Sequence, residues 1–162
     1  MQPLVILQLL ILLTLANGAP VVAKKLFGAR FARPLDGGLL FFDGRPWFGA
    51  SKTLRGLALA ILATVAGAPL IGLDWRIGLL VGVLAMAGDL ASSFLKRRLG
   101  RPPSSRASGL DQIPESLLPL LACRDLLALS AADIAATVAL FFFGEILLSR
   151  LLYRLHLRDQ PY

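Results

Sequence analysis

The stretch GDLASSFLKRR, Gly88 to Arg98, places a carboxylate, two hydroxyls and three cations at the end of an apolar run. On a helix, Asp89, Ser93, Lys96 and Arg97 fall at i, i+4, i+7 and i+8, which is one face. Seven positions separate Asp89 from Lys96, or roughly 10 Å at about 1.5 Å of rise per residue. A metal at Asp89 and a nucleotide phosphate chain reaching Lys96 and Arg97 would span that distance. A second carboxylate, Asp111 in GLDQIPES, follows a connector that can fold back over the helix end. Two carboxylates converging on phosphates suit Mg²⁺, a hard cation that prefers oxygen ligands. The competing reading is an ion pair between Asp89 and a Lys or Arg that only staples helices. An intramembrane carboxylate is costly and usually faces a partner or a wet cavity.

A second polar set lies upstream. Residues 24–55 form a segment too long for a mere connector, and loops beyond about 12 to 15 residues are usually functional or disordered. Disorder is disfavoured here, because Leu39, Leu40, Phe41, Phe42, Trp47 and Phe48 can be buried or lie at a membrane interface. The segment carries Asp36, Asp43 and the stretch GASKTLRG just before a helix. Backbone amides at a helix N-terminus beside Lys52, Thr53 and Arg55 make a phosphate cradle. GASKT is not the full phosphate-binding loop of nucleotide hydrolases, and juxtamembrane anchoring is the alternative for these cations.

The elements that must position these groups are membrane helices. The chain of 162 residues is 56% hydrophobic and 17% charged, with a mean hydropathy of +0.71. Soluble domains average about 25% charged residues. The net charge of +7 would suggest nucleic acid in a soluble protein, but membrane proteins collect cations in cytoplasmic loops, so no nucleic-acid partner is expected. Five apolar spans are expected: Leu4 to about Ala23, broken by NGAP; Leu57 to Leu73; Ile77 to Leu95; Pro114 to Leu129; and Ala131 to Leu152. About twenty residues cross the hydrocarbon core; the second and fourth spans are short, and the fourth contains Arg124 and Asp125. The first span lacks a basic leader, so a retained helix is expected rather than a cleaved signal.

Residues 24–55, 96–111 and the tail hold 15 of the 17 Lys and Arg, leaving only Arg76 and Arg124. These are alternate connections of a five-helix chain, so they share the cytoplasmic side and the N-terminus lies outside. The expectation is an all-α integral membrane protein, one domain over residues 1–162, with five transmembrane helices and two functional cytoplasmic loops. The lone Cys123 excludes an internal disulfide and any multi-cysteine metal site. GLLVG, Gly78 to Gly82, has the spacing for close helix approach inside the bundle. Glu145 either pairs with Arg124 or lines a cavity, and His156 reads as interfacial.

In this order, NGAP with its Asn17 and Pro20, PLDGG, DGR, GxSKTxRG, GDLASSFLKRRLG and LDQ resemble the CDP-archaeol synthase family. That family is related to the phosphatidate cytidylyltransferases, whose S-x-x-K-R signature also precedes a carboxylate-bearing loop. The resemblance runs from Asn17 to about Leu120. It implies a membrane enzyme of phospholipid biosynthesis, its site facing the cytoplasm. Such an enzyme would transfer CMP from CTP to an archaeol-phosphate-like or phosphatidate-like lipid, release pyrophosphate, and use Mg²⁺. Carried over residue by residue, Asp89 and Asp111 organise the metal or the nucleotide phosphates. Ser93, Lys96 and Arg97 match the S-x-x-K-R element and meet the triphosphate. Lys52, Thr53 and Arg55 match the first-loop element, with Asp43 nearby. The implied catalytic set is therefore Asp89, Ser93, Lys96 and Asp111. Archaeal members often read GDxKT where this chain has Gly49 to Thr53 without the carboxylate. A transporter or scaffold that kept the fold would be expected to lose this polar set, and all of it is present.

Overall fold

A computed structural model of the chain describes residues 1–102, 105 and 109–154, with the backbone alone for Leu152. Arg106, His156 and Arg158 lie outside the described residues. Five helices follow in order: α1 Pro3–Phe27, α2 Leu54–Leu70, α3 Trp75–Arg98, α4 Gln112–Ala122 and α5 Ala131–Arg154. Among the described residues, extended pairing is limited to isolated bridges, Pro34 with Thr53 and Leu40 with Pro46. Hydrocarbon offers the backbone no hydrogen bonds, so apolar segments must satisfy their own N–H and C=O groups as helices. The ends are capped locally. The Thr53 hydroxyl accepts from the Gly56 N–H at 3.1 Å, and the Asp74 carboxylate accepts from the Arg76 N–H at 2.7 Å. α1, α3 and α5 are each long and apolar enough to cross a membrane, and α2 is a shorter apolar helix of 17 residues.

Two spans differ from expectation. NGAP does not break the first, because α1 runs through Pro20 to Phe27. A proline removes one N–H donor, and membrane helices tolerate that where neighbouring helices support the freed backbone. Here α2 packs closely, and a Cβ placed on Gly56 would lie 3.3 Å from the Pro20 Cβ. The fourth helix is Gln112–Ala122 rather than Pro114 to Leu129. It is 11 residues long, about 16 Å at 1.5 Å per residue. Beyond it the chain turns through Arg124 and Asp125, closed by the Leu129 N–H donating to the Arg124 carbonyl at 2.8 Å, with Ala128 at φ 50°. Ser130 and Asp133 then cap α5 reciprocally: the Ser130 N–H donates to Asp133 at 3.1 Å, and the Asp133 N–H to the Ser130 hydroxyl at 3.2 Å.

The short α4 still carries the chain from one end of the bundle to the other. The Gln2 N–H donates to Asp133 at 2.8 Å, its side-chain amide donates to the Ala128 carbonyl at 2.9 Å, and the Gln8 amide donates to the Ile71 carbonyl at 2.7 Å. The start of α1 and the α2–α3 and α4–α5 turns therefore lie together. The two cation-rich connections, each tied to α3 through Lys52–Asp89 and Lys96–Asp111, lie at the other end of the helices.

The core is apolar and closely packed, with Leu9, Leu12, Leu13 and Ala16 of α1 against Ala60 and Ala68 of α2, Val81 and Ala85 of α3, and Leu120 of α4. Glycines set the helix separations. A Cβ on Gly78 would sit 2.3 Å from the Thr64 carbonyl oxygen, and one on Gly82 2.2 Å from the Thr64 hydroxyl. The GLLVG spacing is therefore used within the chain, between α2 and α3. A Cβ on Gly88 would sit 2.4 Å from the Pro114 carbonyl oxygen. That contact brings α4 against α3 one residue before Asp89.

Candidate functional site

The first polar connection, residues 28–53, is organised around the buried Asp36. Its carboxylate accepts from the backbone N–H groups of Phe48 at 3.1 Å, Gly49 at 2.9 Å and Gly38 at 3.1 Å. Burial alone would raise the Asp36 pKa, but these amides outweigh it and hold the carboxyl below its ordinary 3.8. The loop then runs beside its own start, with the Leu35 N–H donating to the Lys52 carbonyl at 2.8 Å and the Leu54 N–H to that of Arg33 at 3.0 Å. This fixes Lys52 at the threshold of α2. Arg98, the last residue of α3, secures the other side of the loop. It donates to Asp43 at 2.7 Å and to the Pro46 carbonyl at 2.6 Å, and stacks over Phe41 and Phe94.

Both connections and all five helices contribute to one cavity of about 940 Å³. Lys52 Nζ lies 2.6 and 2.5 Å from the two oxygens of Asp89. Burial disfavours the Lys52 ammonium, but the Asp89 charge and hydrogen bonds more than offset this, so its pKa stands above the ordinary 10.5. Lys96 Nζ lies 2.6 Å from Asp111 and donates to the Ser105 carbonyl at 3.2 Å. The Ser92 hydroxyl donates to the Leu110 carbonyl at 2.6 Å, tying the returning connection to α3. Ser93 and Arg97 are buried in the same wall. Arg97 Nη2 donates to the Pro102 carbonyl at 2.7 Å, while its Nε and Nη1 are buried without hydrogen-bond partners.

The expected residues thus gather at one place, with two differences of role and one of place. Asp89, Ser93, Lys96, Arg97, Asp111, Lys52, Thr53 and Arg55 all line the cavity. Thr53 spends its hydroxyl capping α2. Arg55 donates to the Gly28 carbonyl at 3.1 Å and to the Arg30 carbonyl, and lies over the Phe27 ring, so it holds the loop to the end of α1. Asp43 is not part of the lining: it accepts from Arg98 and from the Arg45 N–H. Asp89 and Asp111 are each engaged by a lysine, and among the described residues no three His, Cys, Asp or Glu side chains form a ready metal-binding group. The Asp89 ion pair weighed from the sequence exists, but it lies in the cavity wall.

Some wall residues, Glu115 and Ser149 among them, were not singled out by the sequence. Glu115 is 3% exposed, with Oε1 buried and without a hydrogen-bond partner. It stands one turn beyond Asp111 on α4, so the i, i+4 spacing was the signal that could have found it. Glu145, Ser149 and Arg150 reach the cavity from α5, and Asn17 and Lys24 from α1. Of the two readings of Glu145, the cavity is the one realised; Arg124 lines a separate apolar recess between α4 and α5.

A polar chamber with paired lysines and carboxylates at the end of a membrane bundle is suited to polyphosphate chemistry, and comparison with known proteins agrees. The family model described as CarS-like CDP-archaeol synthase matches residues 71–162. CDP-archaeol synthase of Sulfurisphaera tokodaii is 33% identical over 153 residues, covering 91% of this chain and 89% of that protein. The enzyme of the same name from Pyrobaculum arsenaticum is 40% identical over 114 residues, 65% of this chain and 66% of its own length. A solved structure described as an intramembrane enzyme for archaeal membrane lipids biosynthesis superposes with a TM-score of 0.70 at 29% identity, covering 85% of this chain and 90% of that one. The chain is an integral membrane protein and belongs to the CDP-archaeol synthase family of membrane cytidylyltransferases.

Proposed function

We propose that this cavity transfers CMP from CTP to a lipid phosphate at the cytoplasmic face of the membrane. The supporting observation is that Lys52 and Lys96, 44 positions apart and at the ends of different helices, open into one chamber. A lipid-phosphate oxygen attacks the α-phosphorus of CTP, the bond from that phosphorus to the β-phosphate bridging oxygen breaks, and pyrophosphate leaves. A phosphate is already an anionic nucleophile near neutral pH, so no dedicated base is needed. The barrier is the approach of one anion to another, and fixed cations in a partly dehydrated site lower it. Lys52, Lys96 and the two unpartnered nitrogens of Arg97 supply that charge. Ser93, buried in the same wall, would orient a phosphate oxygen.

The acidic donors in the wall are oxygen groups, with no cysteine or histidine among the described lining residues, and this chemistry fits Mg²⁺. Asp89 and Asp111 would hold it, and when bound it would neutralise phosphate oxygens. The cation-rich connections share the cavity's end of the bundle, which supports a cytoplasmic opening for CTP while the lipid chains stay in the bilayer. A transporter or scaffold is not favoured, because the family is enzymatic and the charged set is intact. Incubating purified protein with radiolabelled CTP, Mg²⁺ and a panel of ether- and acyl-lipid phosphates should yield a labelled CDP-lipid. Failure with every lipid would overturn the reading.

A further inference from the structure

Beside the polar chamber lies the apolar recess between α4 and α5, with a volume of about 640 Å³. Packed interiors leave few voids larger than a water molecule, and this volume is in the range of small-molecule sites. Arg124, in the turn beyond α4, is the one charged residue among its described lining residues. One face of α5 joins recess and chamber. Ala131, Ala135, Val138 and Phe142 line the recess, while Glu145 and Ser149 line the chamber. These positions recur every three or four residues, so they form one continuous stripe. The stripe is apolar through Phe142 and polar from Glu145 on. α4 repeats the change at the same end: Leu121, Leu117 and Ile113 border the recess, and Gln112 and Asp111 the chamber. An apolar channel that turns polar at one end matches an amphiphile. The chamber holds Lys52, Lys96 and Arg97, so the head that fits is anionic.

We infer that the α4–α5 recess holds a hydrocarbon chain of the lipid-phosphate substrate and thereby sets its phosphate in the chamber. The inference rests on the cytidylyl-transfer reading and gives the chain a place that the reading leaves open. Depth decides which substrates feel the recess. Ala135 lies ten positions before Glu145, roughly 15 Å along the helix at about 1.5 Å per residue. A phytanyl chain reaches that depth from the chamber, and a hexyl chain ends short of it.

The test compares diphytanylglycerol phosphate with dihexylglycerol phosphate as acceptors for radiolabelled CTP, using the full chain in detergent. Ala135→Trp fills the recess at depth and should lower the ratio of kcat/KM, phytanyl over hexyl, at least about fivefold. Both values come from one preparation, so loss of folded protein cancels in the ratio. Leu140, exposed on α5 outside the recess, supplies the control variant Leu140→Trp. A smaller fall in Ala135→Trp, or an equal one in Leu140→Trp, overturns the assignment. A changed oligomeric state of Ala135→Trp with the ratio intact gives the recess to a second copy and also overturns it. Should Ala135→Trp not fold, the unsubstituted chain carries the test, with a photoreactive diazirine at the chain end of the phytanyl lipid phosphate. Cross-links should fall on the α4 and α5 residues of the recess, competed by diphytanylglycerol phosphate but not by phosphatidylcholine. Labelling elsewhere, or equal competition by both lipids, overturns the assignment. Absence of labelled product from either lipid with the unsubstituted chain overturns the cytidylyl-transfer reading, and the inference with it.

Discussion

Lys52 and Lys96 each sit on a carboxylate that the proposed chemistry also needs. Replacing a lysine that only anchors a loop to anionic lipid forfeits about 1 kcal/mol and does not discriminate between substrates. Replacing one that meets a desolvated phosphate costs about 2 to 5 kcal/mol. Lys52→Gln and Lys96→Gln should therefore each lower kcat/KM for CTP at least about tenfold, the equivalent of 1.4 kcal/mol. The double variant should lose less than the sum, because both serve one ligand. Steady-state kinetics with CTP varied would check this, and unchanged values in both single variants would return the lysines to an anchoring role. Asp89→Asn and Asp111→Asn should each abolish turnover while the protein remains folded. Near-normal turnover at limiting Mg²⁺ would make that residue structural.

Asp36 gives a pH signature of its own. Its pKa is lowered from 3.8 in the folded chain, so the charged form is favoured by folding. The stabilisation is fully present above about pH 4 and is lost as pH falls through the lower folded value. Limited proteolysis of residues 28–53 should accelerate across that acid range. In Asp36→Asn, cleavage should already be fast at neutral pH, with the acid-dependent step flattened. Equal cleavage of both proteins at every pH would remove Asp36 as the organiser of the loop.

At the scale of elements, two glycines give opposite predictions. Gly88 lets α4 touch α3, and a methyl group there meets backbone atoms at 2.4 and 2.5 Å. Backbone cannot swing aside as a side-chain tip can, so Gly88→Ala should destabilise by about 1 to 3 kcal/mol. It should also push Asp111 and Glu115 away from Asp89, lowering turnover more than stability alone accounts for. Gly18 lies inside α1 with nothing within 4 Å of its would-be Cβ. Gly18→Ala should be neutral or stabilising by up to about 1 kcal/mol, from helix propensity. Thermal melts of the two variants in one detergent would check the contrast; a neutral Gly88→Ala would mean that the α3–α4 contact is loose.

For the whole molecule, the hydrogen bonds of Gln2 and Gln8 and the two ion pairs at the opposite end sort the connections into two groups. The proposed orientation, with the cation-rich group inside, would put the N-terminus outside and the tail inside. Cysteines introduced at Gln2 and Gln160 should label from opposite faces of sealed vesicles. The native Cys123 is fully buried and should stay silent. Labelling of both positions from one face would sink this topology and separate the two polar connections from a common compartment.

Membrane class, helix number and the side shared by the two polar connections were all legible in the sequence, because the bilayer imposes them residue by residue. Apolar length decides what can cross, and lysine and arginine placement decides orientation. The face shared by Asp89, Ser93, Lys96 and Arg97 was equally legible, since it follows from helical periodicity within one segment. The end of α4 was not, because apolar residues such as Leu126, Leu127 and Leu129 sit in a turn whose hydrogen bonds no local pattern announces. Nor could sequence assign partners between segments. The pairing of Lys52 with Asp89, the withdrawal of Asp43 onto Arg98, the use of Arg55 as a loop staple and the burial of Glu115 depend on which helices pack together. Those choices rest on contacts distant in sequence, such as Gly88 against Pro114 and Gly82 against Thr64. Their energy depends on shape complementarity between two surfaces, which only the tertiary structure specifies.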